Sequence, residues 1–288
     1  MSVDESSDEL VRDHVHGMWA GVADRWEEHA DEVDERAAAL TAGMLAAAAL
    51  RPGERVLELA CGPGGAGLAA AECIGLGGEV VLSDVVPEMA AIAGARAARR
   101  GLANVRTATL DLERIDQPGG AYDVVLCREG LMFAVDPARA VGEIHRVLRP
   151  GGRAAVSVWG PPAANPWLGL VLEATSAVLG APVPPPGIPG PFALADGSRL
   201  AALFNAAGFG GVAVEDVAVP LRARSFAAWW ARMAAVAGPL AAILAGLPAD
   251  TRADLTERLR AAVGPFTTPA GLEFPGLALL VSGQTGGR

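Results

Sequence analysis

The sequence predicts an α/β protein built on a parallel, doubly wound sheet. Two observations carry this. Short apolar, β-branched runs alternate with helix-patterned segments between residues 50 and 160, as in stacked β-α units. A glycine-rich turn, Gly62-Pro63-Gly64-Gly65-Ala66-Gly67, falls between the first such run and the helix pattern after it. Composition agrees. Hydrophobic residues make up 51% of the 288 positions and mean hydropathy is +0.32, enough for a sizeable core and too much for a disordered chain. The length fits one large α/β domain with an insertion, or two units of about 150 residues.

The elements are expected in this order. Residues 1–9, acidic and polar, read as a frayed tail. Residues 10–50 read as cap helices: Val11, Val15, Met18, Trp19, Val22 and Trp26 recur at spacings of three and four and share a face. Arg51-Pro52-Gly53 stops that region. Strands follow at 55–60, 78–84, 105–110, 121–127 and 153–159. The fourth is apolar enough to be buried on both faces. Helices lie between them at 66–74, 87–100 and 137–148. The second half is patterned differently, with a helix at 167–179 and a stiff proline-rich loop at 182–191. A helix at 198–207 stops at Gly208. A strand at 212–221, helices at 225–245 and 250–263, and a last strand at 271–282 complete the chain, with a loose tail from Gly283.

Charge and cysteine usage exclude some functions. The net charge is −10, from 23 basic and 33 acidic residues, the opposite of a phosphate-backbone binder, so no nucleic-acid partner is expected. Every basic residue is Arg, which leaves no lysine for Schiff-base or general-base work. Cys61, Cys73 and Cys127 form neither a CxxC pair nor a zinc spacing, so no metal site is expected, and a reducing cytoplasm fits them. The acidic N-terminus is unlike a signal peptide. Arg232, Gly238-Pro239 and Gly246 interrupt the longest apolar stretch, 226–248, and make it a poor membrane span.

The glycine turn carries the chemistry. Glycines let the backbone turn tightly and let a ligand come close, and the helix start adds free N–H groups and positive potential. Asp84 ends the next strand, where a carboxylate can take both hydroxyls of a ribose. Gly62, Gly64 and Gly67 satisfy the dinucleotide pattern GxGxxG, a weak signal in a sequence this rich in Ala and Gly. Glu58, inside the strand, points to a different nucleoside ligand, because a carboxylate there can orient an ammonium.

Taken in order, Glu58-Leu59-Ala60-Cys61-Gly62-Pro63-Gly64, Ser83-Asp84 with Met89, Leu110-Asp111-Leu112, Cys127-Arg128-Glu129-Gly130-Leu131-Met132-Phe133 and Arg146-Val147-Leu148-Arg149-Pro150-Gly151-Gly152 resemble the motif set of class I S-adenosylmethionine-dependent methyltransferases. The match is to the small-molecule group related to quinone-biosynthesis methyltransferases. Ala60 stands where the family has its first glycine. The resemblance implies a Rossmann-like, doubly wound seven-stranded sheet with its last strand antiparallel, N-terminal helices and a helical lid insertion. It implies one integrated unit: tail and cap helices at 1–50, a cofactor-binding core at 51–160, and acceptor-pocket and lid helices with the rest of the sheet at 161–288. S-adenosylmethionine is the implied cofactor. Glu58, Ala60, Gly62 and Gly64 would form its turn, and Asp84 would hold the ribose, with Val85 and Met89 beside it. Asp111 and Leu112 would meet the adenine. Cys127, Arg128 and Met132 would line the methionine end. Trp19 and Trp26 would close over the cofactor, in a lid spanning residues 10–30.

Methyl transfer from a sulfonium needs alignment and exclusion of water more than activation. A hydroxyl acceptor needs a base as well. Of His14, His16, His29 and His145, His29 is the candidate, and no residue is assigned as catalytic. The expected reaction is methyl transfer to a small, fairly apolar metabolite, with oxygen favoured over carbon or nitrogen. Segments 160–195 and 222–270 would supply its pocket. Phe226, Trp229, Trp230 and Met233 would be either lid core or pocket wall. Arg128 and Glu129 could pair with each other, hold the cofactor carboxylate or orient the acceptor. The alternatives are a non-methylating cyclase or scaffold on the same fold and an NAD(P)-dependent reductase. With no Lys and a single tyrosine, Tyr122, the common reductase dyad is absent. Monomer and homodimer both remain open.

Overall fold

The computed structural model describes residues 3–287. Four helices lead: α1 (Val3–Ala20), α2 (Ala23–Glu28), α3 (Ala30–Arg36) and α4 (Ala38–Ala47). An alternating half follows, with β1 (Arg55–Glu58), α5 (Gly65–Ile74), β2 (Glu79–Asp84), α6 (Pro87–Arg99), β3 (Val105–Thr109), β4 (Tyr122–Arg128), α7 (Pro137–Val147) and β5 (Leu148–Trp159). The rest comprises α8 (Pro166–Leu179), α9 (Gly197–Ala206), β6 (Gly210–Ala218), β7 (Leu221–Ala223), α10 (Phe226–Val236), α11 (Pro239–Gly246), α12 (Ala249–Ala262), β8 (Thr267–Thr268), β9 (Gly271–Phe274) and β10 (Leu277–Gln284).

Seven strands form one sheet in the order β3-β2-β1-β4-β5-β10-β6. The first five run parallel, and β10 is antiparallel to both neighbours, as expected. Val56, Leu57, Leu82, Val124, Val125 and Leu126 are fully buried, because helices cover both faces of the central strands. The strand order reverses between β1 and β4. Open α/β sheets hold ligands at such a reversal, beyond the carboxyl ends of the strands. The chain places Glu58, Asp84 and Arg128 at those ends.

Several boundaries differ from expectation. Residues Val3–Glu9 belong to α1, while Met1 and Ser2 lie outside the described residues. The strand expected at 212–221 is two, and so is the one at 271–282, because Pro220 and Pro275 supply no N–H to a ladder. The short pieces β7, β9 and β8 make a second, three-stranded sheet. The helix expected at 225–245 bends by 106° between α10 and α11, at Gly238 with its positive φ of 47°. Gly283 and Gln284 are not a loose tail but pair in β10, and the buried Thr285 hydroxyl donates to Arg149 O at 2.7 Å. Arg288 lies outside the described residues, among which no single helix is long and apolar enough to cross a membrane.

Candidate active-site cleft

A cleft of about 240 Å³ opens at the carboxyl ends of β1, β2, β4 and β5. It is smaller than the ~300–1,000 Å³ usual for small-molecule sites, and the N-terminal helices roof it. Of the residues singled out in the sequence, Trp19, Trp26, Ala60, Gly62, Asp84, Val85, Met89, Asp111, Leu112, Arg128 and Met132 line it. Glu58, Gly64 and Cys127 do not. Glu58 and Cys127 are buried behind the wall, and Gly64 packs against Ala93 and Leu82.

The turn is built on backbone that glycine adopts freely: φ is 50° at Gly62 and 89° at Gly64. Ala60 holds the same left-handed conformation, φ 49°, so the turn survives the missing glycine at a cost in strain. Glu58, 1% exposed, accepts the Gly67 N–H at 2.8 Å and braces the helix start from beneath. Burial pushes its carboxyl up to about 8, against the opposing pull of Arg128 and the Gly67 N–H. Its carboxylate therefore supports the turn and does not form the cleft wall. Asp84 accepts from Gly62 N at 2.9 Å and Val86 N at 3.0 Å, one bond to each oxygen, so each oxygen keeps acceptor capacity toward the cleft. Burial raises its carboxyl as well. Asp111 Oδ1 accepts Glu113 N–H at 2.8 Å.

Sequence reasoning missed Asp34. Arg128 does not pair with Glu129. Its guanidinium donates to Asp34 Oδ1 at 2.9 Å and Thr41 Oγ1 at 2.9 Å. Arg96, itself bonded to Pro63 O, donates to Asp34 Oδ2 at 2.8 Å. Asp34 thereby sits against the first turn of α5, where a Cβ on Gly65 would meet Asp34 Oδ1 at 1.8 Å. The Asp34 carboxylate thus lies beside the first turn of α5, paired with both arginines and set back from the residues that line the cleft.

The roof is latched. Trp19 meets Phe133 edge-on at 4.9 Å and Trp26 at 6.0 Å, and both indoles, with Val85, pack against the buried cluster of Ala23, Val86, Met89 and Ile92. Trp26 Nε1 donates to Val236 O at 3.1 Å, tying α2 to the end of α10. Arg12 grips Glu113 Oε2 from Nε (3.0 Å) and Nη2 (2.8 Å). The proline-rich loop does more than connect: Val183, Pro184, Pro189, Gly190 and Pro191 wall the far side of the cleft. Arg36, Glu129, Trp159 and Trp167 line the cleft as well.

The remaining candidate side chains are placed as follows. His29 lies off the cleft between α2 and α3, its Nδ1 3.5 Å from Glu32, whereas His16 lines the cleft. Trp229 is core, fully buried against Phe274 and Phe226, and Met233 alone of that quartet reaches the wall. His145 packs edge-on against Phe209 at 5.0 Å, away from the site. No cluster of three metal-binding side chains occurs among the described residues.

Comparison with known proteins bears on this cleft. The family model described as "Methyltransferase domain" matches residues 56–152, the stretch from β1 into β5 that carries the glycine turn, Asp84, Asp111 and Arg128. Residues 56–152 are a methyltransferase domain. It is of the class I S-adenosylmethionine-dependent type. Over 109 residues the chain is 41% identical to demethylmenaquinone methyltransferase of Thermus thermophilus, covering 38% of this chain and 49% of that protein. The matched stretch spans two-fifths to a half of the length of the curated relatives. In fold, the chain is similar to the YcgJ protein of Bacillus subtilis (TM-score 0.60, 21% identity, 86% of this chain and 98% of that one). It is also similar to the [4+2]-cyclase SpnF (TM-score 0.56, 22% identity, 86% and 81%).

The methyltransferase domain fits its cofactor on local grounds. Two carboxylates, Asp84 and Asp111, stand at neighbouring strand ends over one apolar floor, as a nucleoside requires. S-adenosylmethionine carries a nucleoside and no phosphate, and the two strand-end carboxylates suit its ribose and adenine.

Proposed function

We propose that the protein transfers a methyl group from S-adenosylmethionine to a small, largely apolar acceptor bearing an acidic hydroxyl. The observation that carries this is the pair of carboxylates Asp84 and Asp111 at neighbouring strand ends beside the glycine turn, in one cleft of a methyltransferase domain. When bound, the cofactor supplies a methyl carbon already activated by its sulfonium charge.

In this reading Asp84 binds the ribose hydroxyls with the free acceptor capacity of its two oxygens. Asp111 accepts from the adenine amino group, and Met89 and Leu112 pack on the ring. Asp34 and Arg128 face the methionine end as a fixed ion pair. Glu58 acts from behind by holding the turn in place. Trp19 and Trp26 exclude water, which an alkylation needs because water competes for the methyl group. Leu168, Leu172, Met233 and the proline-rich loop give the acceptor an apolar berth, which matches the demethylmenaquinone relative in kind. Oxygen is the acceptor atom put first, with a ring carbon activated by that oxygen as the variant.

The test is transfer of a labelled methyl group to a panel of hydroxylated aromatic and enolic compounds, with product analysis by mass and NMR. Labelled product with one S-adenosylhomocysteine released per turnover supports the proposal. Acceptor rearranged without S-adenosylhomocysteine release would make the chain a cofactor-dependent cyclase. Hydride exchange with NAD(P)H would place it among reductases.

A further inference from the structure

We propose that Arg36 and Glu129 form the acceptor's reacting subsite: Glu129 takes the proton of the acceptor hydroxyl and Arg36 holds the resulting oxyanion. This rests on the methyl-transfer reading and specifies the chemistry of its second substrate.

The two residues come from separate parts of the chain, the last residue of α3 and the one following β4, and both line the cleft. Arg36 carries its guanidinium over Trp167 at 4.0 Å and Trp159 at 4.9 Å. Yet Arg36 Nε and Nη2 are shut from solvent with no hydrogen-bond partner, and so is Glu129 Oε1. Buried charged groups are rarely left so, because each unpaired one costs a few kcal/mol. No ion pair within 4.0 Å joins the two to each other. Both residues line the one cleft with two donors and one acceptor unpaired and shut from solvent. An acidic hydroxyl on a flat conjugated ring or enol satisfies both.

The backbone is set for this. Glu129 has φ 59°, a left-handed conformation unusual for a non-glycine residue. Its N–H is held by Ser157 O at 2.9 Å and Oγ at 3.2 Å. Strain of this kind persists where the surroundings enforce it, commonly at functional sites. The charges facing Glu129 are Arg128 from its own segment and Arg36 from α3. Those facing Arg36 are Glu129 and, from α10, Arg232, which is itself 3.4 Å from Glu32. Burial raises the Glu129 carboxyl despite both arginines, which suits a base that must hold a proton through the transfer. Burial lowers Arg36 to about 10, so it stays charged at neutral pH.

The step balances. The acceptor O–H bond breaks, its proton goes to Glu129 Oε1, and the electron pair stays on the oxygen against Arg36. That pair, from oxygen or through the conjugated ring carbon, forms the bond to the methyl carbon as the carbon–sulfur bond breaks and its electrons return to sulfur. Glu129 then loses its proton to solvent as the roof opens.

The experiment uses 4-nitrophenol, whose absorbance reports its ionisation, with the full chain saturated by S-adenosylhomocysteine. Calorimetry first measures S-adenosylhomocysteine binding to the wild type, Arg36→Met, Arg36→Lys and Glu129→Gln. If the wild type does not bind it, the methyl-transfer reading fails before the subsite is tested. Comparable binding in all four shows folded cofactor sites. The bound dye is then expected as phenolate at a pH below its own pKa. Arg36→Met should lose that band and bind the dye about tenfold more weakly, and Arg36→Lys should recover part of the band. In Glu129→Gln the bound dye should ionise with bulk pH, because no carboxylate in the site takes the proton, while the wild-type spectrum changes little over the same range. No phenolate band in the wild-type complex overturns the proposal, as do identical spectra and affinities in all four proteins. Selective loss of S-adenosylhomocysteine binding in Glu129→Gln also overturns it, by placing Glu129 in the cofactor site.

Discussion

Replacing Arg12 with Met should loosen the N-terminal helix from the cleft without unfolding the protein. Arg12 gives two hydrogen bonds to one oxygen of Glu113, and the other oxygen accepts Val135 N–H at 2.6 Å. The Glu113 side chain is 5% exposed and Arg12 21%, so solvent screens the pair only in part. A hydrogen bond to a charged group contributes about 1.5–3 kcal/mol, and the partial exposure of Arg12 argues for the lower end. A loss of about 1.5 kcal/mol makes opening roughly tenfold more frequent. The helix should still close most of the time, because Trp19 keeps its contacts with Phe133 and Trp26. Amide hydrogen exchange reads this directly. In the variant, residues 10–20 should exchange about tenfold faster, with α7 unchanged and S-adenosylhomocysteine binding weakened in step. Glu113→Gln, which keeps the acceptor for Val135, should fall between the two. Unchanged exchange in both variants would show that the indoles alone hold the roof and that the ion pair adds nothing.

Three further outcomes follow from the turn. Ala60→Gly should raise thermal stability, by up to about 1 kcal/mol, since it relieves a left-handed alanine while adding freedom to the unfolded chain. Glu58→Gln should flatten the pH dependence of stability. With its folded value raised from 4.5 to about 8, the native state holds a proton that the unfolded state has released across that interval. Wild-type stability should therefore fall relative to the variant as pH rises from 5 to 8, by at most about 1.4 kcal/mol per pH unit; parallel denaturation curves would refute this. Gly65→Ala should weaken S-adenosylhomocysteine binding in calorimetry, because its Cβ would displace Asp34 from Arg128; unchanged affinity would show that Asp34 moves aside freely.

The sheet was legible because its signals are local. Val80–Leu82 and Val124–Cys127 are unbroken apolar runs, and the turn between β1 and α5 announces itself by its glycines. The positions flanking that turn, Asp84 and Asp111, followed from their places at strand ends. What stayed hidden depends on contacts between distant segments. Asp34 reads as one acid among many in 27–35, and only folding brings it to Arg96 and Arg128, 62 and 94 positions away. Arg36 looks like a helix-surface arginine until Trp159 and Trp167 are placed beneath it. The division of 212–221 and 271–282 was visible in Pro220 and Pro275, and the proline rule overrides the alternating pattern there. Trp19 and Trp26 touch each other but do not share a helix: the chain breaks at Gly21–Val22, a gap that a periodicity of seven passes over.

The central claim is that the cleft at the carboxyl ends of the parallel strands, under the N-terminal helices, holds a phosphate-free nucleoside, and calorimetric titration tests it most directly. Wild-type protein titrated with S-adenosylhomocysteine should bind one equivalent. Asp84→Ala should weaken that binding by about 1–3 kcal/mol, the loss of a charge-assisted hydrogen-bond pair, and NADP+ should give no heat of binding. Tight binding of NADP+ with no response to S-adenosylhomocysteine would contradict the assignment.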